Sequence, residues 1–303
     1  MAHRPRKRAD SQNARVYWLG SPEKRVLGFA GYKVGMTHVA YVDDSESPTK
    51  GQEVVSAATV VEVPPLVVYG VRCYRNKNSV GDILTTDEKA LKLAGFRKAA
   101  KPKPVNEAEV EEARLLVYAM PGKTGIGKKH VEKMELGCGG KDAKERLELC
   151  KGMLGKEIRI SEVFKSGEYV DIITVSTGKG WQGAVKRFGV SVQRRKATGK
   201  RRHVGTLGQW HPAYVLYTIP QAGQTGYHQR TELNKRILKI GQKPEDINPS
   251  SGFPAYGFVK NDYVVLKGSV PGPAKRLLKL RLAARPLSVQ KEVPLTFVSM
   301  SPR

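Results

Sequence analysis

"VVSAATVVEVPPLVVYGVRCY", residues Val54–Tyr74, decides the fold class. β-Branched and aromatic residues fill both halves, and Pro64–Pro65 stands between them. Such side chains suit a pleated, half-buried surface. Proline cannot donate to a β-ladder and is kept out of central strands, so the run reads as two strands separated at the proline pair. Upstream, "VLGFAGYKVGMTHVAYV" (Val26–Val42) is rich in glycine and β-formers and reads as a hairpin or two short strands. Downstream, strand-like runs recur at "EYVDIITVS" (Glu168–Ser176), "AYVLYTI" (Ala213–Ile219), "YVVLKGSV" (Tyr263–Val270) and "VPLTFVSM" (Val293–Met300). Many short strands with Gly/Pro turns and no βαβ alternation imply a mainly β chain built as a barrel or sandwich.

The middle of the chain has a different character. Thr86 is placed to cap a helix in "TTDEKALKLAGF", and Asn106 to cap one in "EAEVEEARLLVYAM". Between them "RKAAKPKPV" reads as a Lys/Pro linker, and "DAKERLELCKGML" puts Leu147, Leu149 and Met153–Leu154 roughly on one helical face. The expected organisation is therefore a basic arm (1–20), a β domain (21–80 and 156–303) and a partly helical α insertion (81–155).

The chain has 303 residues, of which 40% are apolar, enough for a packed core. Its formal net charge is +25, which calls for a polyanionic partner. There is no apolar run of the ~18 residues a membrane span requires, so no membrane role is expected. The N-terminus "MAHRPRKRADSQNAR" has no hydrophobic centre and does not read as a secretory signal; it reads as an arm that orders on a polyanion. Cys73, Cys138 and Cys150 are too widely spaced for a CxxC site, and their scarcity suits a reducing cytoplasm.

After Asp171 the next acidic residue is Glu232. The glycine-rich part of that stretch is a long basic finger, residues 178–212. Without carboxylates it cannot neutralise itself by internal ion pairs, and a loop this long is unusual in a compact domain. Phosphates would supply the missing counter-charge, and glycines permit close approach. Candidate phosphate contacts are Arg4, Arg6, Lys7 and Arg8 in the arm, and Lys179, Lys186, Arg187, Arg194, Arg195, Lys196, Lys200, Arg201 and Arg202 in the finger. Trp181, Phe188 and Trp210 can stack on unpaired bases, which RNA offers and duplex DNA mostly does not. Trp181 could equally anchor the finger base. Arg230, Lys235 and Arg236 follow on "HQRTELNKR", read as a short helix. Val215, Leu216, Val264, Val265 and Leu266 read as core.

Two motifs point elsewhere. Gly122–Lys129 nearly matches the phosphate-binding G-x-x-x-x-G-K-[ST] loop, but Lys129 replaces the hydroxyl that would ligand Mg²⁺. A nucleotide-binding enzyme is thus the alternative from another class, and a general nucleic-acid-binding protein a third. His203, His211 and His228 match no common metal spacing, so neither metal nor cofactor is expected.

"GFAGYKVGMTHV" (Gly28–Val39), "GKGWQGAVKRFGV" (Gly178–Val190), "GTLGQWHPAYV" (Gly205–Val215), "AGQTGYHQRTELNKRILKIG" (Ala222–Gly241) and "LKGSVPGPAKR" (Leu266–Arg276) follow one another in this order. Together they closely resemble the L-three family of large-subunit ribosomal proteins in its archaeal form, over nearly the whole chain. The resemblance implies a six-stranded β-barrel of the translation-protein type, with the insertion, finger and arm attached. It implies no enzymatic activity. It further implies direct binding of large-subunit rRNA near its 3′ end, nucleation of subunit assembly, and a finger reaching toward the peptidyl transferase centre. Trp210 and His211 would form the tip. Implied partners are the rRNA, neighbouring ribosomal proteins and, indirectly, tRNA and translation factors; the protein would be cytoplasmic, in the large subunit, and not a homo-oligomer. Eukaryotic relatives carry a modified histidine upstream of the tryptophan; Thr198 holds that register here, so the modification is not carried over.

Overall fold

A computed structural model describes residues 5–96, 110–287 and 292–300. Along the chain run β1 (Gly28–Val42), β2 (Glu53–Glu62), β3 (Leu66–Arg75), β4 (Asn78–Leu84), α1 (Glu88–Leu93), β5 (Glu112–Ala119) and β6 (Glu132–Gly137). There follow α2 (Ala143–Gly152), β7 (Glu157–Ile158), α3 (Ile160–Val163), β8 (Tyr169–Val175), β9 (Trp181–Gln182) and α4 (Ala184–Phe188). The chain closes with β10 (Gly223–Gln224), β11 (Gln229–Gly241), β12 (Tyr263–Lys267), β13 (Leu277–Leu282) and β14 (Leu295–Val298). The protein is mainly β.

The proline pair between β2 and β3 is where the chain changes sheets. β2 belongs to an antiparallel sheet of order β13-β8-β11-β12-β2-β1-β14, in which β1 also pairs with β13 from Gly28↔Arg281 to Tyr32↔Leu277. β3 belongs to a second sheet of order β4-β3-β5-β6, with β7 alongside β3. Gly28–Val42 is thus one long strand where the sequence suggested a hairpin or two short strands. Gly31 and Gly35 are not turns. A Cβ on Gly31 would lie 2.7 Å from the Glu62 carbonyl oxygen, and a bulge between Lys33 and Gly35 bends the strand within its pairing to β2.

The second sheet overturns the main helix prediction. Glu112–Ala119, rich in helix formers, is a strand, paired to β3 on one side and β6 on the other. Leu115 and Val117 join the main core, whereas Leu116 and Tyr118 face a smaller cluster with Val67, Tyr69, Ala90 and Ala94. Burial on both faces outweighs a propensity of a few tenths of a kcal/mol per residue. The proposed cap Asn106 lies outside the described residues. In α1 the cap is Asp87, which accepts from the Lys89 amide at 2.9 Å, rather than Thr86. α2 forms where its apolar spacing placed it, with Leu147 and Cys150 buried.

Two charges sit at the centre of the first sheet. Asp171 is fully buried; its carboxylate accepts from Arg281 at 2.6 Å, the Asn234 amide at 3.1 Å and the Ala284 amide at 3.0 Å. Glu62, also fully buried, accepts from the Lys260 and Asn261 amides, the Asn261 side chain and the Tyr256 hydroxyl. These two acidic side chains are thus consumed inside the fold, where burial requires such bonds.

Candidate nucleic-acid interface

The finger is an excursion of a hairpin. β8 and β11 pair antiparallel up to Val175↔Gln229, and between these ends the chain leaves the sheet and returns. Its base is laced by backbone bonds: Ser176 amide to His228 carbonyl (2.9 Å), Lys179 to Thr225 (2.9 Å), Thr225 to Gly180 (2.8 Å) and Tyr227 to Thr177 (3.2 Å). Trp181 and Gln182 then pair with Gln224 and Gly223 as β9 and β10. Gly226 has φ +70°, and a Cβ there would sit 2.1 Å from the Thr177 carbonyl oxygen. Only glycine closes the base at this point.

α4 follows, and Arg187 on it ties the outgoing chain to the returning one. Its guanidinium donates to the Gln224 carbonyl at 3.1 Å and the Gln221 carbonyl at 3.0 Å. The arm adds a third layer, since Arg6 donates to the Arg187 carbonyl at 3.0 Å and stacks 4.1 Å from the Phe188 ring centroid. Burial, then the nearby Arg6 charge, push the Arg230 guanidinium down from its ordinary value. His228 fixes the arm's path: its Nε2 accepts from the Gly226 amide at 3.1 Å, so Nδ1 carries the proton and donates to the Lys7 carbonyl at 2.8 Å.

Beyond α4, residues 189–222 form no helix or strand. A bond from the Gln193 amide to the Arg201 carbonyl (2.9 Å) closes a small loop that displays Arg194, Arg195, Lys196 and Lys200, with Arg202 beside it. The side chains of Arg194, Arg195, Lys196, Lys200, Arg201 and Arg202 are exposed, as are those of Lys179 and Lys186. Trp181 is 76% exposed and Trp210 88%, with His211 exposed beside it. Ala213–Ile219, expected as a strand, is a turn-rich segment. Tyr214, Val215, Leu216 and Tyr217 are exposed, so Val215 and Leu216 are not core; Val264, Val265 and Leu266 are. β-Forming composition makes a strand only where a partner strand is available, and this segment has left the sheet. Val215, Leu216 and Tyr217 instead line a cleft of about 930 Å³ with Arg6, Lys7, Arg187 and Phe188.

The remaining candidates separate. Gln229–Gly241 is β11, not a short helix, with Asn234 at φ +53° in a bulge. On it Lys235 pairs with Glu232 at 3.3 Å, and Arg236 is buried in a two-pronged pair with Asp44, both contacts 2.6 Å. Those bonds hold the Arg236 guanidinium above its ordinary range and the Asp44 carboxyl below its own. Lys7 and Arg8 are exposed; Arg4 lies outside the described residues.

The arm is more closely held than its composition suggested. Ala14 is buried, and its carbonyl accepts from Lys279 at 2.7 Å; the Tyr17 carbonyl accepts from Arg281 at 2.6 Å. Trp18 covers Gly28 and Gly137, where a Cβ would come within 2.5 and 2.7 Å of its ring. Side-chain pattern could not reveal Lys279, because what it binds is backbone. Its burial, opposed in part by Glu135 and Glu132, pushes the ammonium down to about 8.

The Gly122–Lys129 loop follows β5 but leads into the strand β6, so no helix N-terminus faces a bound phosphate, and Lys128 pairs with Glu132. A phosphate cradle of that type requires strand, loop and helix in succession.

The model of the family described as ribosomal protein L3 matches residues 1–90 and 103–302. The chain belongs to the ribosomal protein L3 family. Among similar proteins, the large ribosomal subunit protein uL3 of Methanothermobacter thermautotrophicus is 46% identical over 97% of this chain and 93% of its own length. That of Methanocaldococcus jannaschii is 43% identical over 99% and 94%, and that of Methanopyrus kandleri 43% over 94% and 84%. L3 proteins are structural, non-enzymatic components of the large ribosomal subunit, cytoplasmic in archaea. The near phosphate-loop motif therefore marks no nucleotide-binding enzyme.

Proposed function

We propose that this L3 protein binds large-subunit rRNA directly, with the finger and arm as one composite surface. It joins the subunit near the rRNA 3′ end, nucleates assembly, and extends the finger toward the peptidyl transferase centre with Trp210 and His211 at its tip. One observation carries the reading: the exposed cations of residues 178–212 lie in a stretch with no Asp or Glu between Asp171 and Glu232. The stretch carries no carboxylate of its own to match them, so the finger's counter-charge comes from outside, and phosphate supplies it. Arg6, Lys7, Arg8, Lys179, Lys186 and the cations from Arg194 to Arg202 are its phosphate contacts; Arg187, Arg236 and Lys235 serve mainly to hold the fold.

The ring of pairings β13-β8-β11-β12-β2-β1 and back to β13 supports a six-stranded barrel of the translation-protein type, with β14 on its flank. The excursion through β3–β7 is the inserted unit. Neighbouring ribosomal proteins are the protein partners, tRNA and translation factors act through the finger indirectly, and the chain is not a homo-oligomer. Competition binding at physiological salt tests the reading. A large-subunit rRNA fragment should outcompete duplex DNA by well over tenfold, and equal affinity for both would refute it.

A further inference from the structure

Three thiols that sequence spacing keeps apart are brought together by the second sheet and α2. Cys138 follows the last residue of β6 and bridges to Val26; Cys150 lies in the last turns of α2; both are buried in the main core. Their sulfurs are 2.9 Å apart, with the residues twelve positions apart in the chain. That separation is tighter than two unbonded thiols favour, and about 0.9 Å beyond a disulfide bond of ~2.05 Å. Cys73 of β3, fully buried in the same cluster, is near enough to act on Cys150 electrostatically.

We propose that Cys138 and Cys150 are a covalent cross-linking site, forming a disulfide that fastens α2 to the end of β6. Proximity selects this pair: the two sulfurs already meet across an element boundary, and only a small movement of α2 is needed. The oxidant is a low-molecular-weight disulfide. One cysteine thiolate attacks one of its sulfurs and expels a small thiolate, leaving a mixed disulfide. The second cysteine thiolate then attacks the protein sulfur and expels the other small thiolate. Two protein thiols lose two protons and two electrons, and one small disulfide becomes two small thiols.

Timing follows from enclosure. In the closed fold the Cys138 contact and burial push the Cys150 thiol far up, so the attacking thiolate is scarce there. The reaction therefore belongs to the stage before α2 has settled. Asp142, at the N-cap of α2, makes no side-chain capping bond; that end of the helix is tied instead by Glu145, which accepts from the Lys141 amide at 3.1 Å and pairs with Lys24, and by Arg146, which donates to the Gly140 carbonyl at 3.0 Å. Once α2 is seated, the same enclosure shields the bond from reductant.

Full-length protein refolded from denaturant in oxidised and reduced glutathione tests this. Thiols are then alkylated under denaturing conditions and the chain is mapped by mass spectrometry. The expected product carries one alkyl group, on Cys73, and a linked Cys138–Cys150 peptide. Its thermal midpoint lies about 3–6 °C above that of protein refolded with reductant. Cys73→Ser should retain the link. Three alkylated cysteines after oxidative refolding, or a link made through Cys73, would overturn the site. Oxidation as fast in the already folded chain as in the refolding one would overturn the timing.

Discussion

Gly226→Ala should open the base of the finger without unfolding the sheet that carries it. The new Cβ would sit 2.1 Å from the Thr177 carbonyl oxygen, 3.0 Å from the Lys179 nitrogen and 3.1 Å from the Thr177 carbonyl carbon. All three are backbone atoms, so no rotamer change relieves the overlap. Holding alanine at φ +70° adds ~1–2 kcal/mol. The cheaper course is to give up the bonds Lys179–Thr225, Thr225–Gly180 and Tyr227–Thr177, each worth ~1 kcal/mol net. A loss of about 3 kcal/mol corresponds to roughly a hundredfold in the local opening constant. Hydrogen exchange read residue by residue should show the Lys179, Thr225 and Tyr227 amides exchanging about 100 times faster. The amides of β8 and β12 should be unchanged, and the main thermal transition should move by less than about 2 °C. Wild-type exchange at those three amides would mean that the clash is absorbed elsewhere and that the base is not set by Gly226.

Lys279 predicts a pH dependence. The unfolded chain keeps this proton to its ordinary value of 10.5 and the folded chain releases it near 8, so stability gained at high pH is lost as pH falls through that window. Urea unfolding should show the folded state gaining about 1.5 kcal/mol between pH 8 and 9.5, a gain that Lys279→Met removes. Arg281→Met leaves the buried Asp171 carboxylate without its cation and should cost about 3–5 kcal/mol in the same assay. Changing Arg201 and Arg202 to Gln together should reduce the slope of log K against log salt for rRNA binding by about 1.4–1.8, without altering the fold. Trp210→Ala, at a side chain 88% exposed, should leave the melting temperature unchanged. It should weaken rRNA binding by no more than the ~1–3 kcal/mol of one stacked base.

Legibility in the sequence followed how local each determinant is. The strands at 53–62, 66–75, 169–175 and 263–267 were readable because proline breaks and β-branched runs act within a few residues. Glu112–Ala119 was not, because layers on both its faces are assembled from distant segments. "TELNKR" looked helical by composition but is held extended against β8, with a bulge between Glu232 and Lys235. Ala213–Ile219 erred in the opposite direction, its β-formers having no strand to join. In the finger, missing carboxylates are a property of the string itself, so the cation display could be read directly. The inward roles of Arg187 and Arg236 could not, since their partners Gln221, Gln224 and Asp44 are chosen by the fold. Nor could the meeting of Cys138 with Cys150, which depends on where α2 comes to rest.

The docking of the arm has a consequence for the order of synthesis. Ala14 and Tyr17 offer carbonyl oxygens to Lys279 and Arg281, residues 265 and 264 positions further along the chain. The arm is therefore made well before the residues that seat it. While the rest of the protein is translated, the arm trails as a loose cationic thread, open to any polyanion or chaperone that meets it. Its seating waits until Lys279 and Arg281 have been made. Main-chain oxygens hold it there together with Arg6, Ala14 and Trp18, so only side chains outside that docking, such as those of Lys7 and Arg8, can change without disturbing the fit.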